Sequence, residues 1–195
     1  MSVAELVVRL PDWVAGLLHG LPERLPRQED RLGVALELAR QNVCRGSGGP
    51  FGAAVFDASG RLVSAGVNLV VRVGSSILHA EMVALALAQR RLGCHDLSAA
   101  AGAPYELCSS TEPCAMCLGA VPWSGVARLV CAARDEDSRA VGFDEGAKPS
   151  DWVGALADRG IAVVRDLRRE EGAAILREYA AAGGPIYNPG ARPRR

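Results

Sequence analysis

Hydrophobic positions recur along the chain with two spacings, and together they predict a mixed α/β domain. Apolar residues at helical spacing predict helices over about residues 29–44 and 169–181. The run from His79 to Ala88 is apolar on nearly all sides, which is typical of a buried helix. Shorter runs bounded by turn residues predict strands over residues 51–56, 62–69, 105–109, 126–132 and 161–165. Strands that alternate with helices favour a layered α/β fold.

Two segments depart from this pattern. Residues 1–28 are predicted to be an N-terminal extension ahead of a domain at residues 29–195, because prolines interrupt its short apolar runs. We expect this extension to lie against the domain or a partner subunit. Residues 135–151 are polar, acidic and glycine-containing, a composition that predicts a solvated loop.

Composition narrows the class of protein. The chain has 195 residues, of which 49% are hydrophobic and 23% charged, as expected for a soluble globular domain. Its formal net charge is zero, which argues against a nucleic-acid partner because no broad basic surface is indicated. Neither a secretory signal nor a membrane span is recognisable, so we expect a cytoplasmic protein without a membrane partner.

Two short motifs carry candidate metal chemistry: His79-Ala80-Glu81 and Pro113-Cys114-Ala115-Met116-Cys117. Cys114 and Cys117 are three residues apart, which places both sulfur atoms on one face of a helix. One histidine and two cysteines suit a zinc ion that keeps its fourth position for water. A Cys-x-x-Cys pair alone is often a structural half-site or a redox pair, but the two motifs together favour a catalytic zinc site.

Glu81 is the only charged residue in the apolar run, and a buried carboxylate is costly without a partner. A zinc-bound water would be such a partner, and it makes Glu81 a candidate proton shuttle. The alternative is a non-catalytic zinc module for assembly. The open fourth ligand position and the buried carboxylate argue against that alternative.

From about residue 29 to the C-terminus, the chain resembles the cytidine deaminase superfamily and, within it, the small bacterial zinc-dependent guanine deaminases. The zinc motifs are shared across the superfamily. The segment Gly142-Phe143-Asp144-Glu145 is the more specific pointer to guanine.

This resemblance implies a three-layer α/β/α sandwich around a mixed five-stranded sheet. It implies a homodimer, in which the C-terminal segment often crosses to the partner. The implied reaction converts guanine and water into xanthine and ammonia, with one zinc ion per chain and a small purine base as the substrate.

The resemblance also implies roles for individual residues. His79, Cys114 and Cys117 would hold zinc, and Glu81 and Glu145 would handle protons. The implied substrate contacts are a hydrogen bond from Asn68 and stacking by Phe51, Trp123 and Phe143. Tyr187 is matched less well to a terminal tyrosine of the family, because the chain continues for eight residues beyond it.

Other substrates remain open at this point. Deaminases of cytosine, of ammeline-type triazines and of adenosine in tRNA use the same zinc chemistry, and pocket shape sets their specificity. A tRNA substrate would need a basic surface that tracks the strand, which the balanced charge argues against.

Overall fold

A mixed five-stranded sheet forms the centre of the computed structural model of the protein, which describes residues 6–188. Its spatial order is β2-β1-β3-β4-β5; β1 runs antiparallel to β2 and β3, whereas β3, β4 and β5 are parallel. The strands are β1 Gly52–Phe56, β2 Leu62–Val67, β3 Glu106–Thr111, β4 Arg128–Ala133 and β5 Ala162–Val164.

Helices precede, connect and follow these strands, except that a turn joins β1 to β2. They are α1 Asp12–His19, α2 Gln28–Cys44, α3 Val70–Val73, α4 Ala80–Leu92, α5 Ala115–Ser124, α6 Asp135–Ala140, α7 Trp152–Ala157 and α8 Arg169–Ala181, with a short 3₁₀ helix at Leu97–Ala99. Within residues 6–188, the length and hydropathy of every helix fall short of those of a membrane-crossing segment.

The sheet is buried on both faces, which makes the fold a three-layer sandwich. Side chains alternate along β1. Ala54 and Phe56 join a core cluster with residues of α2 and α8. Ala53 and Val55 join a second cluster with residues of α4, α5 and α7. The predicted α/β/α sandwich with a mixed five-stranded sheet is therefore confirmed.

Gly66 allows α4 to lie directly on the sheet. A Cβ atom at this position of β2 would stand 2.2 Å from the carbonyl oxygen of Ala80 and 2.6 Å from the backbone nitrogen of Ala84. Real Cβ atoms do not approach backbone atoms so closely, so only glycine fits here. The first turn of α4, which carries Glu81, is thereby held against the strand.

The described part of the N-terminal extension packs against its own chain. Val14 of α1 is buried in the cluster that contains α2. The indole nitrogen of Trp13 donates a hydrogen bond to the hydroxyl of Ser47, and the Leu25 amide donates to the Gly60 carbonyl. Leu25 is thereby tied to the turn that joins β1 to β2.

The prediction of a loop over residues 135–151 is wrong for its first part, because Asp135–Ala140 form α6. The backbone amide of Arg134 donates to the carboxylate of Asp137, and Arg169 of α8 donates to the same carboxylate at 2.9 Å. Acidic residues in a first turn also favour a helix, because they interact with its positive end. Local capping and a distant ion pair thus stabilise a helix that the polar composition does not predict.

Candidate active site

The first ligand residue, His79, lies at the N-terminal boundary of α4. Its backbone is extended (φ −68°, ψ 157°), and helical geometry begins at the next residue. The Nδ1 atom of His79 is 3.4 Å from the Sγ atom of Cys114. The histidine thus faces a second element, α5, rather than its own helix.

The two cysteines lie at the start of α5, immediately beyond the end of β3. Cys114 is the N-cap residue and Cys117 is buried on the inner face of the helix. Hydrogen bonding from the Cys117 thiol outweighs burial, and with the contact to His79 it lowers the pKa of the Cys114 thiol to about 4. A thiolate at Cys114 at neutral pH suits a metal ligand.

His79, Cys114 and Cys117 fit a zinc ion. One potential ligand atom from each residue lies within 4.8 Å of the others, in the only such group found among residues 6–188. Bond lengths of about 2.0–2.3 Å to nitrogen and sulfur accommodate this spacing around a tetrahedral zinc ion. Three protein ligands leave one position free, as in catalytic rather than structural zinc sites.

Glu81 lies in the first turn of α4 and faces the same place. Its side chain is buried, and burial raises the pKa of its carboxyl group. The hydroxyl of Ser109 on β3 lies 3.3 Å from one carboxylate oxygen and donates a hydrogen bond to it. Ser109 is a residue that the sequence analysis missed; its position near the end of the strand before the cysteine motif was the available signal.

Glu145 reaches the site from the irregular segment between α6 and α7. Burial, together with negative charge on Cys114 and Glu81, raises the pKa of its carboxyl group to about 8. A cation at the neighbouring ligand group would counter part of this shift. The backbone amide of Ala115 donates to the Glu145 carbonyl at 2.8 Å and fixes the segment against α5.

These groups border a cavity of about 370 Å³. Phe51 and Phe143 form part of its wall, with ring centroids 5.0 Å apart in an edge-to-face arrangement. Residues lining the cavity are Phe51, Val70, Ser76, His79, Glu81, Glu112, Cys114, Ala115, Met116, Phe143, Asp144, Glu145, Gly146, Tyr187 and Asn188. Flat aromatic walls beside the carboxylates of Glu81 and Glu145 suit a planar, polar ring.

Asn68 is fully buried after β2 but is not among the residues that line the cavity. Its Oδ1 atom accepts a hydrogen bond from the Val70 amide at 3.3 Å. Its Nδ2 atom has no hydrogen-bond partner within the described residues. A buried donor without a partner is costly, which is consistent with a group that awaits a ligand.

Trp123 lies outside the cavity. It is 85% exposed near the end of α5, whereas Val121, two residues earlier, is buried. Two residues correspond to about 200° around a helix, so the two side chains point in nearly opposite directions. The structure does not bring Trp123 to the ring site, and its predicted stacking role lacks support within a single chain.

Tyr187, which the sequence left open, lies in the cavity of its own chain. Its ring centroid is 5.3 Å from that of Phe143 and 6.4 Å from that of His79. The neighbouring Asn188 bridges the Gly142 carbonyl and the Asp144 amide, each at 2.8 Å. The C-terminal segment up to residue 188 therefore packs on its own subunit here.

Comparison with known proteins agrees with this geometry. Residues 26–133, more than half of the chain, match the family model of the cytidine and deoxycytidylate deaminase zinc-binding region. The matched range contains His79, Glu81, Cys114 and Cys117.

Several proteins that are similar to this chain are named as guanine deaminases. A solved guanine deaminase from Nitrosomonas europaea is 49% identical and superposes with a TM-score of 0.85, covering 91% of this chain and 97% of its own. Another solved structure, a complex with 2,6-diaminopurine, is 50% identical with a TM-score of 0.86, covering 93% of this chain and 96% of its own. Guanine deaminase from Bacillus subtilis is 36% identical over 111 residues, which are 57% of this chain and 67% of that protein.

Proposed function

The chain belongs to the cytidine and deoxycytidylate deaminase zinc-binding family, and we infer that it is a zinc-dependent guanine deaminase that converts guanine and water into xanthine and ammonia. The observation that carries this inference is the meeting of three metal-ligating side chains with the buried carboxylates of Glu81 and Glu145 at one cavity with aromatic walls. Relatives named for guanine deamination, and one solved with a purine analogue, support the purine as the substrate class.

The cofactor is one zinc ion per chain, and we propose His79, Cys114 and Cys117 as its ligands. When bound there, zinc supplies Lewis acidity, which lowers the pKa of a water molecule at its open position and prepares that water for attack.

Glu81 is proposed as the proton shuttle. Its carboxylate lies beside the ligand group and is oriented by the Ser109 hydroxyl. There it accepts a proton from the attacking water and delivers it to the ring nitrogen next to the carbon that bears the amine. Glu145 is proposed to supply a proton to the departing amine, which is a poor leaving group without one.

We propose that Phe51 and Phe143 hold the flat face of the purine, since both line the cavity. The unpartnered Nδ2 atom of Asn68 is proposed to donate a hydrogen bond to the base. Because guanine carries several polar groups on a flat ring, a few directed hydrogen bonds between aromatic walls would distinguish it from a smaller pyrimidine.

The quaternary structure is proposed to be a homodimer formed through the outer face of α5. Met116, Gly119, Ala120 and Trp123 follow one another at helical spacing on this side of the helix, and Met116 and Trp123 are exposed. Large exposed apolar side chains in such a stripe are typical of an interface between subunits. The face is continuous with the cavity, because Met116 also lines it.

We further propose that residues 29–195 form the deaminase domain and that residues 1–28 are an extension that covers part of it. The contacts of α1 with the core support this division. A cytoplasmic location remains a proposal as well; thiolate zinc ligands are compatible with a reducing compartment.

The decisive experiment incubates the zinc-loaded protein with guanine, adenosine, cytosine and ammeline and follows ammonia release and product spectra. We expect xanthine from guanine, and loss of that product in Glu81→Gln with its zinc content retained. Glu178→Gln, which changes an exposed carboxylate on α8, is the matched control. Turnover of another base without xanthine formation would contradict the proposed substrate.

A further inference from the structure

We propose that Lys148 is a positioning residue that joins the segment carrying Glu145 to the segment carrying Cys114. The inference rests on the proposed function, because the distance between these two residues matters only if both take part in one reaction. Lys148 lies three residues after Glu145 and does not line the candidate substrate cavity.

Two hydrogen bonds hold the segments together. The Ala115 amide donates to the Glu145 carbonyl at 2.8 Å, and the Lys148 ammonium donates to the Pro113 carbonyl at 3.1 Å. One bond lies on each side of Cys114 along the chain. The lysine bond is the one made by a side chain, so a substitution can remove it without altering the backbone.

Between these two hydrogen bonds, the segment that carries Glu145 lies directly against the segment that carries Cys114. Gly146 has a positive φ of +72°, and a Cβ atom there would lie 2.9 Å from the Cβ atom of Ala115. The two segments therefore touch without space for an intervening side chain. A small shift of one segment would move Glu145 relative to the zinc ligands.

The ammonium group of Lys148 is held in place by charge. The lysine side chain is only 5% exposed, and its nitrogen lies 3.8 Å from a carboxylate oxygen of Glu112 and 3.5 Å from one of Asp135. Glu112 is itself anchored, because Arg165 donates to it at 2.6 Å and the Asp135 amide donates to it at 3.1 Å. Buried charges with several partners keep a defined geometry, since leaving any of them unpaired is costly.

The indole ring of Trp152 lies beside two cationic groups, the Lys148 ammonium and the Arg165 guanidinium. The Lys148 nitrogen lies 5.3 Å from its centroid, and the Arg165 guanidinium carbon lies 5.4 Å from it. Trp152 is buried at the start of α7. The ammonium thus has an aromatic contact as well as its carbonyl and carboxylate partners.

The use of lysine and arginine along the chain supports a specific requirement for lysine at position 148. Of the 22 lysines and arginines, Lys148 is the only lysine. An ammonium is a compact point charge with three donors, whereas a guanidinium is a wide planar fork. The three oxygen atoms near Lys148 suit the compact group, so arginine is not an equivalent replacement here.

A second cavity gives direct access to this group. It measures about 390 Å³ and is lined by Lys148, Glu112, Asp135, Trp152 and Arg165, among others. A small alkylammonium ion can therefore reach the space that a truncated lysine would leave. This makes a chemical-rescue experiment possible.

The test compares the parent with Lys148→Ala in guanine turnover. We expect kcat to fall about 10–100-fold, because a displacement near 1 Å between reacting groups costs rate on this scale. KM should change by less than about threefold, since the substrate-facing side chains remain. Added n-propylammonium should restore much of kcat in Lys148→Ala, whereas n-propanol of similar shape should not.

Two further variants are controls. Lys148→Met fills the space with a neutral side chain of similar length, so it should lose activity and show no rescue by n-propylammonium. Arg159→Ala removes an exposed cation two residues after the end of α7 and should behave as the parent does. Zinc content and thermal unfolding are measured for every variant.

A readout independent of turnover is the rate at which a chelator removes zinc. We expect faster removal from Lys148→Ala than from the parent, and n-propylammonium should slow it again. If the parent fails to deaminate guanine, the proposed function is wrong, yet this comparison still decides the role of Lys148. Parent-like kcat and zinc release in Lys148→Ala, or losses that n-propylammonium does not reverse, would overturn the inference.

Discussion

At the scale of single residues, the buried carboxylates of Glu81 and Glu145 are held by different kinds of contact. Glu81 belongs to the first turn of α4 and is oriented by a side chain of the central sheet. Glu145 belongs to an irregular segment and is placed through its backbone carbonyl and through neighbours along the chain. The proposed shuttle is therefore built into rigid secondary structure, whereas the second carboxylate depends on tertiary contacts.

Replacing Glu145 tests its separate role. We expect Glu145→Gln to lower kcat for guanine about 10²–10⁴-fold, the usual range for loss of a general acid or base. Zinc content should stay at the parent level, because Glu145 is not part of the ligand group. Steady-state kinetics with metal analysis check both expectations, and Glu178→Gln is again the control. A parent-like kcat in Glu145→Gln would remove it from the mechanism.

At the scale of elements, close contacts between strands and helices decide where the proposed catalytic groups lie. The approach of β2 to α4 at Gly66 controls the height of the helix above the sheet. Across the opposite face, Arg31 of α2 donates to Glu106 of β3 at 2.7 Å in a largely buried ion pair. The first contact is steric, so a substitution that adds a Cβ atom tests it. The second contact is electrostatic, so a change of pH tests it.

Gly66→Ala should push α4 away from the sheet. We expect a loss of about 1–3 kcal/mol in the free energy of unfolding, because the added methyl group meets backbone atoms that cannot rotate aside. Zinc affinity should fall as well, since His79 directly precedes α4. Denaturant unfolding and a competitive zinc titration measure the two effects. Gly16→Ala in α1, where a Cβ atom would meet nothing within 4 Å, is the control and should be tolerated.

The ion pair at Glu106 should contribute stability that depends on pH. Burial alone would raise the pKa of Glu106, but hydrogen bonds from Arg31 and Gln28 outweigh it and lower that pKa. A carboxyl group with a lowered pKa in the folded state stabilises the protein above its unfolded pKa, and this contribution disappears as the pH falls through the folded value.

Arg31→Gln should therefore lower the free energy of unfolding by about 3 kcal/mol near neutral pH, at the lower end for a broken buried pair, because Glu106 keeps other partners. The difference from the parent should shrink as the pH drops below about 4. Denaturant unfolding at several pH values checks this. A difference that stays constant down to acid pH would show that packing, not charge, carries the effect.

At the scale of the whole molecule, the described residues leave one side of α5 without a covering layer. The inner side of this helix carries Cys117, a proposed zinc ligand, and the outer side carries Trp123. The helix thus connects the candidate active site to the proposed subunit interface. Association through this side would cover the apolar stripe and bring a second subunit next to the cavity rim at Met116.

Trp123→Asp should convert the proposed dimer into a monomer. An unpaired charge at the centre of an apolar interface is costly enough to prevent association at micromolar concentration. Analytical ultracentrifugation measures the mass directly, and circular dichroism checks that the fold is retained. Leu6→Asp, which alters another exposed apolar side chain, is the control and should remain dimeric. A monomeric parent, or a Trp123→Asp variant that still forms dimers, would contradict this interface.

Local sequence determined the features that depend on spacing within one element. His79 is the N-cap residue of α4 and Glu81 lies two residues later in the first turn, while Cys114 is the N-cap residue of α5 and Cys117 lies three residues later, so short spacing at a helix start keeps each pair together. The layered α/β architecture likewise follows from the spacing of apolar residues.

Only the tertiary structure decided where the irregular segments and outward-facing side chains lie. Glu145, Lys148 and Tyr187 follow no helical or strand period, and their positions depend on contacts with distant elements. Trp123 lies on α5, but which face of that helix is buried depends on what packs against it. Periodicity describes an element relative to itself, whereas the site is assembled between elements, and that assembly is fixed by packing, burial and charge across the whole fold.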